Sequence, residues 1–390
     1  MRVLHLTPEY PPVIWGGLGT AVGGLATASA RAGLSTGVLL VGGVLAVGGS
    51  YATAWQPATL ARNSIDQPII DSEGVMFFHV SPFDAIRAGV ELVRRWKPDV
   101  LHLHTAWLWS VARAIQEQTG TPLVFTVHSL DRAEYEIGKL YTHWQEQEDV
   151  ISSANRVIAL SLSEEELIAQ ACPRARGRIR IVGNGIDDVP VPRRDGRGRG
   201  EYLRVLYTGR FVERKGIREL LAAIPKVLDE EPSIHFVLVG GYGGSAEIER
   251  TWLAGALESY RSQVHFTGWL PPSQVAEWYQ MADILVVPSW YEPFGMVILE
   301  GMIYGLPIAA AAVGGPAEIL EHGRTALLFS PKDAEALARA VLQLVKSQEL
   351  REQLGRAAAC EVRARWLWCQ VVERMREVYE EAAEEGDGSR

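Results

Sequence analysis

The feature that most constrains the fold of this chain is a repeated alternation of short apolar runs with longer helix-like segments. The apolar runs consist mostly of Val, Leu and Ile, and helix-like segments separate most of them. Continuous apolar strands between helices indicate a parallel sheet that is covered on both faces. In the first half of the chain, the predicted strands lie at residues 3–7, 37–41, 75–80, 100–104, 123–128 and 157–160, and a further one begins at residue 179.

The alternation then stops and starts again. Residues 189–200 mix Pro, Gly and Arg without periodicity, which marks a linker. We therefore predict an α/β protein with an N-terminal domain at 1–188, a C-terminal domain at 201–365 and a final helix at 366–390. The strands of the second domain are predicted at residues 205–209, 235–239, 264–267, 284–287 and 308–313, and a helical region is predicted from 333 to about 385.

Composition narrows the function classes. Of 390 residues, 47% are hydrophobic and 22% are charged, which is typical of a globular protein. A net charge of -9 argues against a nucleic-acid-binding protein and against general binding to anionic membranes. We expect no transmembrane helix and no signal peptide. The three cysteines, Cys172, Cys360 and Cys369, have no metal-binding spacing, so a cytoplasmic location is expected.

A carboxylate and a helix start follow the predicted strand at 284–287. Glu292 lies at the carboxyl end of this strand, where open α/β sheets bind ligands. Gly295 allows close approach of a ligand to the backbone, and the helix that follows attracts anions at its N-terminus. Glu300 lies about two turns further on. The two carboxylates could bind the hydroxyls of a sugar and a ribose, but a strand-to-helix turn stabilised by the helix dipole explains Glu292 equally well.

Two further strand ends carry groups suited to phosphate. Arg210 and Lys215 share the loop after the strand at 205–209, and two cations there suit a diphosphate. Taken alone, this spacing is common on protein surfaces. Near the N-terminus, residues 15–20 form a glycine-rich loop between a strand and a helix predicted at 21–32, an arrangement that can present backbone N–H groups to phosphate or serve only as a turn.

Three histidines end strands in the first domain. His102 is predicted to be a structural histidine, while His128 is expected to line a site because a polar loop, residues 129–134, follows it. The third is His104. Trp15, Trp107 and Trp109 lie near the same loops and could stack on a sugar, although core packing explains Trp107 and Trp109 equally well.

Together these motifs resemble the retaining nucleotide-sugar glycosyltransferases of family 4, which have the GT-B fold and include glycogen synthases. The resemblance covers nearly the whole chain. It rests on Glu-Tyr-Pro-Pro followed by Gly-Gly-Leu-Gly near the start, on Gly-Arg-x4-Lys-Gly at 209–216, on Glu-Pro-Phe-Gly…Glu at 292–300 and on Gly-Gly-Pro-Ala-Glu at 314–318. It implies two Rossmann-like, doubly wound domains that face each other across a cleft, with the final helix packed on the first domain.

The resemblance also implies residue roles. Gly16, Gly17 and Gly19 would approach the donor diphosphate through their backbone, and Arg210 and Lys215 would neutralise it as it leaves. Glu292 would bind hydroxyls of the donor sugar, Glu300 would hold the ribose, and His128 would line the sugar site. The neighbouring residues of the donor-binding motif are Phe294, Gly295, Met296 and Val297.

No bound metal is expected, because the chain has no Asp-x-Asp motif and Arg210 and Lys215 could stabilise the leaving group instead. Retention by a front-face mechanism is favoured, and a double displacement stays open. One departure concerns the family's His-x-His-Asp segment, which here reads His102-Leu-His-Thr105. It puts in doubt any role assigned to that Asp.

The predicted activity is transfer of a hexose, with UDP-glucose as the first candidate donor, to a glycan or glycoconjugate acceptor, as in polysaccharide biosynthesis. The predicted partners are therefore a nucleotide sugar and a carbohydrate or glycolipid, and peripheral membrane contact stays open if the acceptor is lipid-linked. Two alternatives remain, a sugar-nucleotide epimerase of the same architecture and a catalytically inactive sugar-nucleotide-binding subunit. The acceptor, the linkage and the oligomeric state do not follow from the sequence.

Overall fold

A computed structural model describes residues 1–11, 14, 16–42, 68–138, 144–191, 202–241, 251–252 and 255–387. The chain forms two compact units, each with its own parallel sheet. The first unit contains residues 1–185 and 368–390, and the second contains residues 186–367. The predicted linker at 189–200 falls largely outside the described residues, which stop at 191 and resume at 202.

The first unit is built on a sheet that has eight strands within the described residues, in the order β3-β4-β2-β1-β5-β6-β7-β8. All neighbouring pairs are parallel except β3 with β4. In register, His5 of β1 lies opposite His102 of β5. The strands are β1 (Arg2–Thr7), β2 (Ser35–Val41), β3 (Ile69–Ile70), β4 (Met76–Val80), β5 (Val100–Leu103), β6 (Leu123–Val127), β7 (Arg156–Ala159) and β8 (Ile179–Ile181).

Helices connect these strands, and the final helix of the chain joins them. They are α1 (Gly17–Arg31), α2 (Ala85–Trp96), α3 (Trp109–Thr119), α4 (Asp131–Glu136), α5 (Trp144–Ser153), α6 (Leu162–Ala171) and, at the end of the chain, α13 (Trp368–Asp387). The predicted apolar strands that form β5, β6 and β7 are buried along their full length. This is the burial expected of a parallel sheet.

The last helix, α13, packs on the first unit through its apolar side. Trp368, Met375 and Tyr379 are buried in one cluster with Leu25 of α1. At the polar side, Arg156 binds Glu381 at 2.8 Å and Glu385 at 2.6 Å. Apolar burial on one side and ion pairs on the other hold α13 against the first sheet. In the sequence, the second unit lies between α13 and that sheet.

The second unit repeats the architecture with six strands among the residues described, in the order β11-β10-β9-β12-β13-β14, all parallel. Its strands are β9 (Arg204–Gly209), β10 (His235–Gly240), β11 (Val264–Gly268), β12 (Ile284–Val287), β13 (Ile308–Ala311) and β14 (Leu327–Phe329). Its helices are α7 (Ile217–Glu230), α8 (Pro272–Met281), α9 (Met296–Ile303), α10 (Gly314–Ile319), α11 (Ala334–Lys346) and α12 (Gln348–Arg365).

Several sequence-based assignments require correction. The polar loop expected at 129–134 is mostly the short helix α4, which begins at Asp131. The single helical region expected after residue 333 is three helices, because Ser347 caps a new one by accepting from the Leu350 N–H at 3.2 Å. Strands β3 and β14 and helix α10 were not predicted. The sequence also predicts a helix at 246–260; residues 246–250 and 253–254 lie outside the described residues, and residues 258–260 form a short 3-10 helix.

The sequence predicts that no helix of this chain crosses a membrane. Among the described residues, every helix is too short or too polar to span a bilayer.

Candidate active site

The strand order of the second sheet identifies where a ligand would bind. The chain passes from β9 to β10 and β11 on one side, and β12, β13 and β14 continue on the other side of β9. At such a switch point, the loops after the two central strands diverge and leave a crevice at the carboxyl edge. Those loops carry residues 210–216 after β9 and residues 288–295 after β12. The two motifs singled out in the sequence therefore meet at one place.

Backbone contacts hold these two loops together. The N–H of Trp290 donates to the carbonyl of Arg214 at 2.7 Å. Gly216 has a φ of 67°, and a Cβ at this position would overlap the carbonyl oxygen of Pro288. Only glycine therefore fits where the loop after β9 crosses the end of β12. This close crossing brings Lys215 next to Glu292.

Lys215 and Glu292 form a largely buried ion pair. The Lys215 ammonium donates to Glu292 Oε2, and the two side chains are 18% and 9% exposed. Ser289 Oγ donates to the same oxygen at 3.1 Å. Burial acts to raise the pKa of Glu292, but the charges of Lys215 and Arg214 lower it below its ordinary value. Burial lowers the pKa of Lys215, and Glu292 opposes that effect. The pair is therefore ionic at neutral pH.

Arg210 adds a second predicted cation to this group. It follows β9, is exposed, and its backbone carbonyl accepts from the Tyr207 hydroxyl at 3.0 Å. Its charge contributes to lowering the pKa of Lys215, as does that of Arg214. The acidic residue of the same loop, Glu213, is exposed and pairs with Arg218 at 3.2 Å. The crevice edge therefore carries three cations and one buried carboxylate, a charge balance suited to an anionic ligand.

Glu300 belongs to a separate hydrogen-bond network. Gly295, at a φ of 99°, starts α9, and Glu300 lies in its second turn. Glu300 Oε2 accepts from the Tyr279 hydroxyl at 2.6 Å, and that hydroxyl lies 2.7 Å from Thr208 Oγ1. Burial raises the pKa of Glu300. The two glutamates of the motif thus differ, because Glu292 is held as a carboxylate by cations, whereas Glu300 accepts from a neutral tyrosine hydroxyl.

The residues between the two glutamates have supporting positions. Phe294 is buried and packs edge to face against Trp366, with ring centroids 5.3 Å apart. Met296 and Val297 are half-buried in the first turn of α9. The Gly315 N–H donates to the backbone carbonyl of Glu292 at 3.0 Å. These contacts fix the backbone that carries Glu292.

The first sheet has its own switch point, between β1 and β5, and histidines occupy it. His5 Nδ1 lies 3.0 Å from His104 Nε2, and His104 Nδ1 lies 3.2 Å from His128 Nε2. His102, the predicted structural histidine, is fully buried and lies 2.7 Å from both the Tyr379 hydroxyl and Thr126 Oγ1. That prediction is confirmed. The ring nitrogens of His5, His102 and His104 come within 4.8 Å of one another.

Burial keeps these histidines neutral. It lowers the pKa of His5 to about 3 and that of His128 to about 4. The pKa values of His102 and His104 are also lowered, first by burial and then by neighbouring histidines. The switch point of the first sheet is therefore an uncharged hydrogen-bonding cluster at neutral pH.

The predicted glycine loop is largely helix. The helix α1 begins at Gly17, not at residue 21, so Gly17 and Gly19 form part of its first turn. Gly16 and Gly17 are exposed, whereas Gly19 is buried, and a Cβ there would lie 3.0 Å from a carboxylate oxygen of Glu9. The need for this close packing outweighs the low helix propensity of glycine. No acidic residue belongs to the first turn itself, but the carboxylate of Glu9 lies beside it.

The structure also shows the positions of two of the three tryptophans and of the threonine that departs from the family motif. Trp109 is 8% exposed and belongs to the core, while Trp107 is 68% exposed. Thr105, which stands where the family has Asp, accepts from the Trp107 N–H at 3.4 Å and caps the short helix that follows. Trp15 lies outside the described residues.

Of the predicted site residues, the structure brings Arg210, Lys215 and Glu292 together in the second unit, with Glu300 nearby in the following helix. Gly16, Gly17, Gly19 and His128 belong to the first unit. Sequence reasoning missed three supporting residues: Ser289 contacts Glu292, Tyr279 contacts Glu300, and Thr208 contacts the Tyr279 hydroxyl. Ser289 could have been found, because it follows a predicted strand at the same edge as Glu292. Tyr279 could not have been found in this way, because it lies in a helix whose sequence pattern indicates only core packing.

Comparisons with known proteins agree with this geometry. Residues 15–189 match the family model described as Glycosyltransferase Family 4, and residues 193–360 match the model described as Glycosyl transferases group 1. The chain is 27% identical to glycogen synthase of Mycobacterium tuberculosis over 97% of this chain and 94% of that protein.

Solved structures show the same fold. Sucrose-phosphate synthase from Thermosynechococcus elongatus has a TM-score of 0.77 at 24% identity, covering 97% of this chain and 98% of that one. The Anabaena protein HepE, in complex with UDP and glucose, has a TM-score of 0.74 at 20% identity, with the same coverage. The predicted GT-B fold is confirmed. Because one family model matches each half of the chain and relatives align along nearly their full length, the chain belongs to the family-4-like glycosyltransferases of the GT-B type.

Proposed function

We propose that this enzyme transfers a hexose from a nucleotide-sugar donor to a glycan or glycoconjugate acceptor, with retention of anomeric configuration and without a bound metal. The observation that carries the proposal is the Lys215–Glu292 ion pair beside Arg210 at the switch point of the second sheet. It places cations and a charged carboxylate at the position where an α/β sheet binds its ligand. A diphosphate and a sugar hydroxyl are the complementary groups.

The cations suit the charge that the reaction develops. When the bond between the anomeric carbon and the donor phosphate oxygen breaks, its electron pair leaves with the diphosphate. Positive charge develops on the anomeric carbon and negative charge on the leaving oxygen. Lys215 and Arg210 would stabilise the leaving diphosphate, as preorganised cations in a site with little water do. In this role they replace the divalent metal that other transferases use.

The two glutamates would bind hydroxyl groups in different ways. Glu292 is charged, and its carboxylate would accept from hydroxyls of the donor sugar. Glu300 already accepts from Tyr279 and would accept from the ribose with its remaining capacity. In the first unit, the backbone N–H groups of the exposed residues Gly16 and Gly17 and the ring of His128 are proposed as further contacts to substrate oxygens.

For retention, we propose front-face attack by the acceptor oxygen. The acceptor hydroxyl bonds to the anomeric carbon on the side from which the diphosphate departs, and its proton passes to a leaving phosphate oxygen. The double displacement instead requires a carboxylate to bond to the anomeric carbon. Glu292 forms an ion pair with Lys215, which supports a binding role over a nucleophilic one.

UDP-glucose is the first donor to test. The structurally similar HepE was solved with UDP and glucose, and sucrose-phosphate synthase and glycogen synthase are among the similar proteins.

The test incubates the protein, in the presence of EDTA, with UDP-, GDP- and ADP-sugars and a mixture of sugar acceptors, and measures nucleotide release and sugar products. Glu292→Ala is the informative variant. Glu335→Ala is its matched control, because Glu335 is 61% exposed in the same unit and pairs only on the surface with Lys226. We expect release from one donor class, retained in the control and lost in Glu292→Ala, with an α-linked product from an α-linked donor.

Other outcomes would reject parts of the proposal. Activity that requires a divalent cation rejects metal independence. An inverted product rejects retention, and a sugar trapped covalently on Glu292 replaces front-face attack by double displacement. Isomerised donor without transfer indicates the epimerase, and donor binding without turnover indicates an inactive binding subunit.

A further inference from the structure

Three histidines in the first unit form a continuous hydrogen-bonded series. His5 on β1 is fully buried, His104 just after β5 is 2% exposed, and His128 follows β6. The linked atoms are Nδ1 of His5 with Nε2 of His104, and Nδ1 of His104 with Nε2 of His128. The series therefore runs from the buried middle of the sheet to a residue proposed to contact the substrate.

A series of neutral imidazoles must have a direction. Each neutral ring carries one N–H donor and one acceptor nitrogen. The lowered pKa values keep all three rings neutral at pH 7. Either each ring donates toward His128, so that all three are protonated on Nδ1, or each donates toward His5, so that all three are protonated on Nε2. Mixed arrangements would place two donors or two lone pairs against each other.

The buried end of the series selects between the two directions. Nε2 of His5 is buried and has no hydrogen-bond partner among the described residues. Donation toward His5 would put a proton on this nitrogen and leave a buried N–H without an acceptor. Buried N–H groups without acceptors are rarer in folded proteins than under-satisfied acceptors. Donation toward His128 leaves only a lone pair there and is therefore favoured.

The same contacts argue against a metal ion in this cluster. Both nitrogens of His104 are hydrogen-bonded to histidines, and both nitrogens of His102 are 2.7 Å from hydroxyl oxygens of Tyr379 and Thr126. A metal would need three converging lone pairs, and binding would break several of these bonds. The adjoining cavity, lined in part by His104 and His128, has a volume of about 10 Å³, enough for about one water molecule.

We propose that His5 is a positioning residue, which acts through His104 to hold His128 in the tautomer protonated on Nδ1. His128 then presents a fixed N–H donor, complementary to a hydroxyl or phosphate oxygen of the substrate. The last step rests on the proposed function, whereas the tautomer itself does not. A free histidine side chain favours protonation on Nε2, so a series of three Nδ1–H rings is a distinctive state.

The experiment measures the tautomers by NMR of the full chain labelled with ¹⁵N-histidine, using two-bond nitrogen–proton correlations at pH 7. His5, His104 and His128 are expected as Nδ1–H forms. In His5→Leu the donor to His104 is lost, and His128 is expected to shift toward the Nε2–H form. His5→Asn retains an amide donor near the position of Nδ1 and is expected to restore the Nδ1–H form of His128 partly or fully. If His5→Leu does not fold, His5→Asn and the wild type still decide the direction.

The matched control is Tyr379→Phe. It removes a buried hydroxyl that contacts His102 in the same cluster but outside the series. The control is expected to lower stability and to leave the tautomer of His128 unchanged. Unchanged His128 in His5→Leu, or an Nε2–H form of His128 in the wild type, would overturn the proposal. So would stoichiometric bound zinc that is lost in His5→Leu.

A second readout connects the tautomer to turnover. With the donor identified, His5→Leu is expected to lower kcat about five- to tenfold, the effect of losing one neutral hydrogen bond, and His5→Asn to recover part of it. Tyr379→Phe is expected to leave kcat within about twofold of the wild type, as for a hydroxyl outside the site. A tautomer change without any change in kcat or KM would show that the tautomer of His128 does not affect the substrate. It would overturn the substrate-contact step while leaving the NMR result intact.

Discussion

The two units have the same kind of sheet, but the switch point of the second unit is charged and that of the first unit is neutral. In the second unit, Lys215 and Glu292 are both ionised, and each stabilises the other's charge. In the first unit, His5, His104 and His128 are held neutral by burial and hydrogen-bond to one another. One topology thus supports a charged cluster and an uncharged one.

The difference shows two ways to place polar groups in a low-dielectric interior. A charge can remain there only with an opposite charge close by, whereas a titratable group without such a partner gives up its charge. Each solution has its own weakness. The ion pair is sensitive to loss of one partner, and the neutral histidines are sensitive to acid. Both sensitivities can be measured.

The largest expected effect follows removal of the buried ammonium. Lys215→Met keeps the length of the side chain but removes the charge that would stabilise the leaving diphosphate. We expect kcat to fall about 10²- to 10³-fold, the effect of losing one preorganised transition-state contact. Steady-state kinetics with the identified donor measure it.

The matched control for this variant is Lys226→Met. Lys226 is 43% exposed in the same unit and pairs with Glu335 on the surface. It should retain nearly full activity. A rise in donor KM with unchanged kcat in Lys215→Met would contradict the assigned role, because it would mean that Lys215 binds the ground state and the transition state equally.

Loss of the carboxylate partner tests the ion pair itself. Glu292→Gln leaves Lys215 largely buried without a counter-charge and is expected to cost about 3 kcal/mol of stability. Hydrogen exchange of peptides covering β9 and β12 measures this locally. The double variant Lys215→Met/Glu292→Gln should recover much of the loss, because it leaves no unpaired charge. Equal destabilisation in the single and double variants would show that the pairing does not stabilise the site.

Acid should weaken the first unit before the second. The folded-state pKa values of His5 and His128, about 3 and about 4, lie below the ordinary value of 6.5. Below pH 6.5 the unfolded chain therefore binds protons that the folded chain does not, and stability falls as the pH falls toward those values. Between pH 6.5 and 5.5 we expect a loss of about 1 kcal/mol for each buried histidine.

Hydrogen exchange at the two pH values, corrected for intrinsic rates, provides the measurement. Protection should fall in peptides from β1, β5 and β6 and hold in peptides from β9 and β12. The pKa of Glu292 is lowered from 4.5, so its carboxylate does not titrate in this window. Peptides of β10 are left out of the comparison, because the pKa of His235 is also lowered, by burial. Equal loss in both units would refute the contrast between the two switch points.

The sequence predicted the parts of both units that repeat a local pattern. Strand β12 begins and ends where predicted, because a continuous apolar run is a strong signal. Strands of two or three residues, such as β3 and β14, are too short to show a period. The segment that forms the six-residue helix α4 is also too short for a helical period, so its polar composition predicts a loop.

The charged switch point was easier to predict than the neutral one. Arg210, Lys215 and Glu292 lie in the loops after two neighbouring strands, and the ends of those strands can be predicted from the sequence. The hydrogen bonds that support both switch points join residues that are far apart in the sequence, so no local pattern predicts them. His102 and Tyr379 are 277 positions apart, and Tyr279 reaches Glu300 across 21. The series from His5 to His128 follows only from the strand order, which places β1 beside β5 and β6 next to β5.

The smallest expected effect concerns one of those unforeseen links. Tyr279→Phe removes the hydroxyl that donates to Glu300, while the ring can still stack on Tyr304, with centroids 5.7 Å apart. Glu300 then loses a hydrogen bond that lowers its pKa, so it should be protonated more readily and bind the ribose less well. We expect the donor KM to rise about two- to tenfold with little change in kcat, the worth of one hydrogen bond. Tyr260→Phe, which removes a surface hydroxyl bonded to Asp229, is the control and should change neither constant. A fall in kcat with constant KM would instead place Glu300 in transition-state stabilisation, so that both glutamates would belong to the charged machinery of the second unit.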